Sequence, residues 1–187
     1  MEDEGVYLYE TFRIYKGQLP YQDFRVGYTP LGFYLYSLLF YLFGAGQPVL
    51  RIWTCIINAG STLLLFILAR KMLPIPWAII PCLLFLALKP EGYGSSLWLQ
   101  NTPYFGWTIV SLWLLGIWFL CQHIESYRRV WLFLAGLANG AMFSIKINAG
   151  LYFAWLILLY IAYQTTSPSR DNRLLRGFKG LVFIAIF

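Results

Sequence analysis

The stretch VLRIWTCIINAGSTLLLFIL, residues 49–68, decides the fold class of this chain. Its one charged residue is Arg51, close to its start. A helix of about 20 apolar residues is long enough to cross the roughly 30 Å hydrocarbon core of a bilayer. In lipid the backbone can satisfy its hydrogen bonds only internally, so a run of this kind forms a helix. The stretch therefore predicts a membrane helix.

Similar apolar runs recur through the rest of the chain. The sequence is 59% hydrophobic and 12% charged, with a mean hydropathy of +0.62, whereas a soluble domain carries about 25% charged residues. We predict helices at 49–68, 75–88, 103–121, 130–145 and 147–162, and the start of another near 181. The fold class expected is all-α, a polytopic transmembrane helical bundle. The net charge of +6 comes from short basic clusters between these runs, which argues against a nucleic-acid-binding protein.

The charges of the short loops predict the orientation of the bundle. Three alternate loops hold eight basic residues: Arg70, Lys71, Arg128, Arg129, Arg170, Arg173, Arg176 and Lys179. The loops between them hold two, Lys89 and Lys146. Because loops rich in lysine and arginine stay in the cytoplasm, the helix at 49–68 is predicted to start on the outer side.

The segment before that helix is predicted to lie on the outer face. The apolar run at 31–43 would rise only about 20 Å as a helix, too little to cross the bilayer, and its many aromatic residues are typical of an interfacial segment. Residues 1–48 are thus interpreted as an extracytoplasmic loop with juxtamembrane helices, and 49–187 as the transmembrane region. Within the loop, 6–15 predicts a short helix capped by Gly17, with Pro20 just beyond it.

Several short motifs follow one another along the predicted outer segment. They are Asp3-Glu4-Gly5 with Tyr7, Gly17, Pro20-Tyr21, Asp23-Phe24, Thr29-Pro30-Leu31-Gly32, Phe43-Gly44 and Arg51. This order resembles the first outer loop of C-type (GT-C) polytopic glycosyltransferases, which are related to dolichyl-phosphate-mannose protein mannosyltransferases and to bacterial aminoarabinose transferases. Further on, Ala135-Gly136-Leu137 with Gly140 and Lys146 is similar to a later helix pair of that family.

The resemblance implies a multi-pass enzyme of the cell membrane with its active site on the extracytoplasmic face. Such an enzyme moves a sugar from a polyprenyl-phosphate donor to a lipid, glycan or protein acceptor, with inversion. The resemblance implies that Asp3 and Glu4, from the Asp3-Glu4-Gly5 motif, are the candidate catalytic residues. Asp3 matches the residue that acts as general base in the family. One base is chemically sufficient, because a lipid phosphate leaves without help from an acid. Glycoside hydrolases need two carboxyl groups because their leaving group is a poor one.

The donor phosphate requires cationic partners, since it gains charge as it leaves. Arg25, Arg51 and Lys146 are the candidates on the predicted outer face, although each could instead anchor to lipid headgroups. Lys146 lies in a loop predicted to be outside, whereas basic residues are usually enriched in cytoplasmic loops. Two positions depart from the family's pattern: Thr29 stands where some branches have a basic residue before the proline, and Gln100 with Asn101 stands where an acid is often found.

Other interpretations of the same residues stay open. Acids before an amphipathic helix commonly cap it and complement its dipole, which would explain Asp3 and Glu4 without catalysis. A secondary transporter or channel component is the alternative function, and Asn58 is the clearest mid-span polar residue for it. An inactive membrane scaffold is a third.

Metal and cofactor signals are weak in this sequence. The lone histidine, His123, stands near Glu125 at the end of a predicted helix, and Cys55, Cys82 and Cys121 are far apart. We therefore predict no protein-bound metal and no cofactor; a divalent cation is an open alternative that the sequence does not indicate.

The two ends of the sequence are also informative. Residues 1–4 lack the features of a signal peptide, and the run 181–187 is too short to span. We therefore interpret the chain as a fragment of a longer protein.

Overall fold

The structure, a computed structural model, describes the backbone of residues 2–87 and 105–166 and the side chains of 5–87 and 105–162. Seven helices make up the regular structure of these ranges. They are α1 (Glu2–Tyr15), α2 (Leu31–Phe43), α3 (Gln47–Arg70), α4 (Ile75–Ala87), α5 (Phe105–Ser126), α6 (Arg129–Ile145) and α7 (Ile147–Thr166). Apart from one isolated bridge between Pro20 and Phe24, no strand pairing occurs in the described ranges. The predicted all-α membrane fold is confirmed.

The helices agree with the apolar runs to within a few residues, except that α1 and α5 extend further. Two of them, α3 and α5, are long and apolar enough to cross a membrane by length and composition; α3, with 24 residues, rises about 36 Å. Leu31–Phe43, Ile75–Ala87, Arg129–Ile145 and Ile147–Ala162 are shorter apolar helices. That five helices cross the membrane therefore remains a prediction. The helix expected from residue 181 lies outside the described residues, as do the ends at 88 and 103.

Helix α1 ends where the sequence predicts. Gly17 adopts φ +88°, a conformation that disfavours residues with a Cβ. The N–H of Gly17 donates to the carbonyl of Ile14 at 2.9 Å, and the N–H of Gln18 donates to that of Arg13 at 3.1 Å. These two bonds form a Schellman motif, which satisfies the last carbonyls of the helix and turns the chain toward α2.

Helix α2 is the short helix expected at 31–43, with 13 residues. Its buried face, which includes Phe33, Tyr36 and Phe40, packs against α1 and the start of α5. The other face is exposed and apolar, with Tyr41, Leu42 and Phe43 more than 60% exposed. The assignment of 1–48 to the outer face is not tested by these contacts and stays a prediction.

Helices α3 to α7 form the second packing unit. Its core includes Leu65 and Leu68 of α3, Ile117 and Leu120 of α5, Met142 of α6 and Phe153 of α7. Nearer the start of α3, buried polar residues take the place of this apolar core: they are Thr54, Asn58 and Ser61. Ser61 is hydrogen-bonded to Ser111 of α5, and such bonds hold neighbouring membrane helices together.

The spacing of Gly136 and Gly140 predicts a helix face that a neighbour can approach closely, although chance glycines of a membrane helix explain it as well. In the described residues, close approach occurs at other glycines. A Cβ on Gly136 or Gly140 would meet nothing within 4 Å in the described part of the chain. A Cβ on Gly116 would lie 2.4 Å from the Phe153 ring, and one on Gly150 would lie 2.6 Å from the Cα of Phe143. Helices α5, α6 and α7 therefore meet at Gly116 and Gly150.

Candidate functional site

The first turn of α1 contains both predicted catalytic residues, Asp3 and Glu4. Positions 3, 7, 11 and 14 repeat at helical spacing and so share one face of the helix. Tyr7, Thr11 and Ile14 on that face are buried against the bundle. Position 3 lies one turn, or about 6 Å, before Tyr7, and position 4 lies about 100° further round, nearly in line with Thr11, so both positions border the bundle-facing side of the helix.

Tyr7 belongs to an aromatic cluster that joins α1 to α2 and α5. Its ring centroid lies 4.9 Å from that of Phe105 in an edge contact, 5.7 Å from Tyr28 and 6.2 Å from Phe33. Gly32 makes the contact possible, since a Cβ there would lie 2.7 Å from the Phe105 ring. Such aromatic pairs stabilise packing by about 0.5–1.5 kcal/mol beyond area burial. The cluster therefore gives α1 a defined position over the bundle.

The connection between α1 and α2 is held by polar and cation–π contacts. Arg13 places its guanidinium 4.3 Å from the ring centroid of Phe24 and donates to the carbonyl of Asp23 at 3.2 Å. Tyr21 adopts φ +67°, which is uncommon for a residue with a side chain. Its hydroxyl donates to the carbonyl of Tyr28 at 2.6 Å. This bond restrains the backbone that carries the Tyr28 ring.

Lys146 reaches the same cluster from the turn between α6 and α7. Its Nζ lies 5.8 Å from the ring centroid of Tyr28. Beside it, the Thr29 hydroxyl donates to the carbonyl of Phe143 at 3.4 Å, the long end of the hydrogen-bond range. Lys146 is half-buried and has extended backbone angles, which break the helix there. The fold thus brings a cation to the ring of Tyr28, the residue before the position where the motif lacks a basic side chain.

The other two predicted phosphate-binding residues are more exposed. Arg25 lies on the loop that follows Phe24, and Arg51 lies in the second turn of α3. Of the three predicted cations, the structure brings Lys146 into contact with the aromatic cluster.

Glu10 is a further carboxyl group of α1, outside the motif that contains Asp3 and Glu4. Desolvation by partial burial raises the pKa of this carboxyl, while the charge of Arg13 opposes the shift. Its position, seven residues after Asp3, is on nearly the same helix face. The carboxyl of Glu10 is therefore more easily protonated than that of an exposed glutamate.

Tyr28 and Phe105 are the residues that sequence reasoning missed. Tyr28 contacts Tyr7, Phe105 and Lys146, and so it connects α1, α5 and the α6–α7 turn. A tyrosine next to the Thr29-Pro30 motif was a signal for it. Phe105 lies near the start of a predicted helix, and nothing local in the sequence distinguishes its ring from those of other aromatic residues.

Potential metal ligands are dispersed over the described residues. No group of three or more His, Cys, Asp or Glu side chains is close enough to hold an ion in that part of the chain. His123 places Nδ1 3.0 Å from the carbonyl of Arg128, which accounts for the ring as part of a helix junction. The described residues thus offer no ready metal centre.

Asn58 is the polar residue with the least satisfied environment among those described. It is 4% exposed, and neither its amide nitrogen nor its amide oxygen has a hydrogen-bond partner within the described structure. Thr54, one turn earlier, bonds to the Leu50 carbonyl and shares a hydrogen bond with Tyr36. Through Tyr36, whose ring centroid lies 4.9 Å from that of Phe105, these polar residues connect to the aromatic cluster.

Comparison with known families gives a match over most of the chain. Residues 28–187 match the model of the family described as dolichyl-phosphate-mannose-protein mannosyltransferase. The matched range includes Arg51 and Lys146 and begins after Asp3, Glu4 and Arg25. Comparisons with curated proteins and with solved structures gave no match.

Proposed function

The chain belongs to the dolichyl-phosphate-mannose-protein mannosyltransferase family, and we propose that it transfers a sugar from a polyprenyl phosphate to an acceptor at the extracytoplasmic membrane face. Membership of the family makes it a membrane glycosyltransferase with a lipid-linked sugar donor. The proposal adds the face, the stereochemistry and the residues. The single observation that carries it is the convergence of Lys146 and Tyr7 on Tyr28, one helical turn from Asp3.

In the proposed reaction Asp3 is the general base. The acceptor hydroxyl attacks the anomeric carbon, its proton passes to the Asp3 carboxylate, and the bond from that carbon to the phosphate oxygen breaks. Attack opposite the leaving phosphate inverts the anomeric centre. The donor phosphate changes from a diester with one negative charge to a monoester that gains a second. Asp3 removes one proton, which balances the charge left on the phosphate.

Lys146 is proposed to stabilise this developing charge. Its ammonium is half-buried against Tyr28, and charge–charge interactions are stronger where water is partly excluded. Because Thr29 lacks the positive charge that some family branches have at this position, Lys146 would supply it from a different part of the chain. Arg25 and Arg51 are proposed as more peripheral partners of the phosphate, in keeping with their exposure.

Transport is the alternative with an observation in its favour, the unsatisfied amide of Asn58. Ion-coupled transporters, however, place ionisable groups near mid-span. Among the described parts of α3 to α7 the one acid is Glu125, which lies near the end of α5 and pairs with Lys71 at 2.8 Å. The placement of charge therefore favours sugar transfer.

The test compares Asp3→Asn with Glu4→Gln in the full chain. Asn caps a helix about as well as Asp, so Asp3→Asn should keep folding while removing the base. We expect turnover to fall by about a hundredfold or more, the usual contribution of a general base. Glu4→Gln should cost much less, because position 4 lies about 100° round the helix from position 3 and so does not bring its carboxylate to the same reacting atom. The measurement is transfer of radiolabelled mannose from dolichyl-phosphate mannose to membrane acceptors at matched protein levels. Near wild-type turnover by Asp3→Asn would return Asp3 to the role of a helix cap.

A further inference from the structure

The turn between α1 and α2 contains a tyrosine in an uncommon backbone conformation. Tyr21 adopts φ +67°, in the left-handed region, and Tyr127 is the other residue with a side chain that has a positive φ among those described. This conformation persists where surrounding contacts hold it. The N–H of Tyr21 donates to the carbonyl of Phe24 at 2.8 Å, and the N–H of Asp23 donates to that of Leu19 at 2.9 Å. Backbone hydrogen bonds therefore fix the turn in which Tyr21 lies.

The side chain of Tyr21 is hydrogen-bonded although it is exposed. The residue is 58% exposed, so burial does not hold its ring in place. Its hydroxyl nevertheless donates to the carbonyl of Tyr28, seven residues further on, at 2.6 Å. Glycine would meet the backbone requirement of the turn without strain, whereas tyrosine adds this bond. The hydroxyl of Tyr21 is therefore the part of the residue that acts beyond the turn.

The segment that carries Tyr28 depends on side-chain bonds of this kind. Residues 25–28 make no backbone-to-backbone hydrogen bond within the described part of the chain. Just beyond them, the Thr29 hydroxyl donates to the carbonyl of Phe143 at 3.4 Å. The Tyr21 bond is the shorter of these two and acts on Tyr28 directly. Loss of the Tyr21 hydroxyl should therefore loosen the backbone of Tyr28.

The ring of Tyr28 connects this backbone to Lys146. Tyr28 is half-buried, and its ring centroid lies 5.7 Å from that of Tyr7 and 6.1 Å from that of Phe105. The Lys146 Nζ lies 5.8 Å from the same centroid, within the roughly 6 Å range of cation–π attraction. A shift of the Tyr28 backbone would carry the ring away from this ammonium. The contact of Lys146 with the aromatic cluster thus depends on a hydroxyl in the α1–α2 turn.

We propose that Tyr21 is a positioning residue for Lys146. Its hydroxyl holds the Tyr28 carbonyl, and the Tyr28 ring holds the Lys146 ammonium beside the aromatic cluster. The use of that ammonium for the donor phosphate rests on the proposed function. Tyr21 itself does not contact the donor, so it affects donor binding only through Lys146.

The first measurement is the rate at which an N-hydroxysuccinimide ester acylates Lys146 in the full chain, followed by mass spectrometry. Tyr21→Phe removes the hydroxyl and keeps the ring, and the backbone bonds of the turn remain. Because the Tyr28 ring loses its restraint, we expect Lys146 to be acylated about fivefold faster, in keeping with the loss of one hydrogen bond. Lys71, at the end of α3, provides the internal reference rate.

Tyr41→Phe is the matched control variant. The Tyr41 hydroxyl also donates to a backbone carbonyl, that of Tyr15, at 2.8 Å. This bond joins the C-terminal ends of α1 and α2, whereas the contact between Thr29 and Phe143 places the Lys146 turn near the start of α2. Tyr41→Phe should therefore leave the acylation rate of Lys146 unchanged.

The second measurement is the donor KM in a double-mutant cycle. If the proposed function holds, Tyr21→Phe should raise the donor KM about fivefold and leave the acceptor KM unchanged. In the Lys146→Met background Tyr21→Phe should add no further rise, because the residue through which it acts is gone. Tyr21→Gly relieves the left-handed turn but also lacks the hydroxyl, so it should match Tyr21→Phe in both measurements. Wild-type values for Tyr21→Gly would show that Tyr21 serves the turn alone and refute the positioning role.

The two measurements separate this proposal from the proposed function. An unchanged acylation rate in Tyr21→Phe would overturn the positioning role even where Lys146→Met raises the donor KM. An equal rise in donor KM from Tyr21→Phe in both backgrounds would also overturn it, since Tyr21 would then contact the donor directly. Faster acylation of Lys146, together with an unchanged donor KM in Lys146→Met, would support the positioning role and refute only the assignment of the phosphate to Lys146.

Discussion

Replacement of Gly150 by alanine tests the packing that positions Lys146. Gly150 lies in the first turn of α7, and its N–H donates to the Lys146 carbonyl at 3.3 Å. An added Cβ would lie 2.6 Å from both the Cα and the Cβ of Phe143. Because the obstacle is backbone of α6, no side-chain rotation can relieve it. The α6–α7 turn must move, and Lys146 is part of that turn.

The expected magnitude combines two opposing effects. Overpacking costs about 1–3 kcal/mol, and a backbone obstacle argues for roughly 3 kcal/mol. Alanine in a helix recovers up to about 1 kcal/mol relative to glycine. The net loss of about 2 kcal/mol corresponds to a Tm lower by roughly 4–8 °C for a chain of this size. Gly150→Ala should also raise the donor KM, because the cation is displaced from Tyr28.

Gly140→Ala is the matched control on the preceding helix. A Cβ there meets nothing within 4 Å in the described structure, so alanine should leave the Tm unchanged or raise it by a few degrees. The assay is thermal unfolding in detergent, followed by tryptophan fluorescence. A Gly150→Ala protein that melts at or above the wild-type temperature would refute the close approach of α6 and α7. An equal loss in Gly140→Ala would show that the Gly136–Gly140 face is packed after all.

Two further predictions concern charge and topology. Lys146→Arg should keep much of the transfer activity, whereas Lys146→Met should raise the apparent donor KM; equal donor KM values for all three proteins would assign Lys146 to headgroup anchoring. In a cysteine-free background, a cysteine at position 22 should react with an impermeant thiol reagent from outside and one at position 126 should not, and the reverse pattern would invert the proposed orientation.

The helical class of the protein was predictable because it depends on local properties. The 20-residue run at 49–68 has one charge, and a backbone in lipid can satisfy its hydrogen bonds only as a helix or in a closed barrel. The end of α1 was predictable for a similar reason, since Gly17 has the φ value that only glycine adopts easily. Family membership followed from motif order, because these motifs lie at fixed intervals along the chain.

The candidate site was predictable only in part. Lys146 stood out because a cation there opposes the positive-inside bias, yet the sequence treated it as equivalent to Arg25 and Arg51. The structure distinguishes it through its contact with Tyr28. Tyr28 and Lys146 are distant in the chain, and no local pattern encodes a contact that depends on how α1, α2 and α6 pack together.

The packing of the glycines also differs between what the sequence predicts and what the structure shows. The spacing of Gly136 and Gly140 indicated a close helix approach, but in the described structure that face meets no neighbour, while Gly116 and Gly150 are packed against Phe153 and Phe143. Such a spacing specifies only that one face of the helix carries small residues. The sequence by itself determined the helices, the end of α1 and the family, because these depend on local hydrogen bonding, hydropathy and motif order. Only the tertiary structure decided which small residues meet a partner and which cation lies by the aromatic cluster, because both require surfaces from distant segments to coincide.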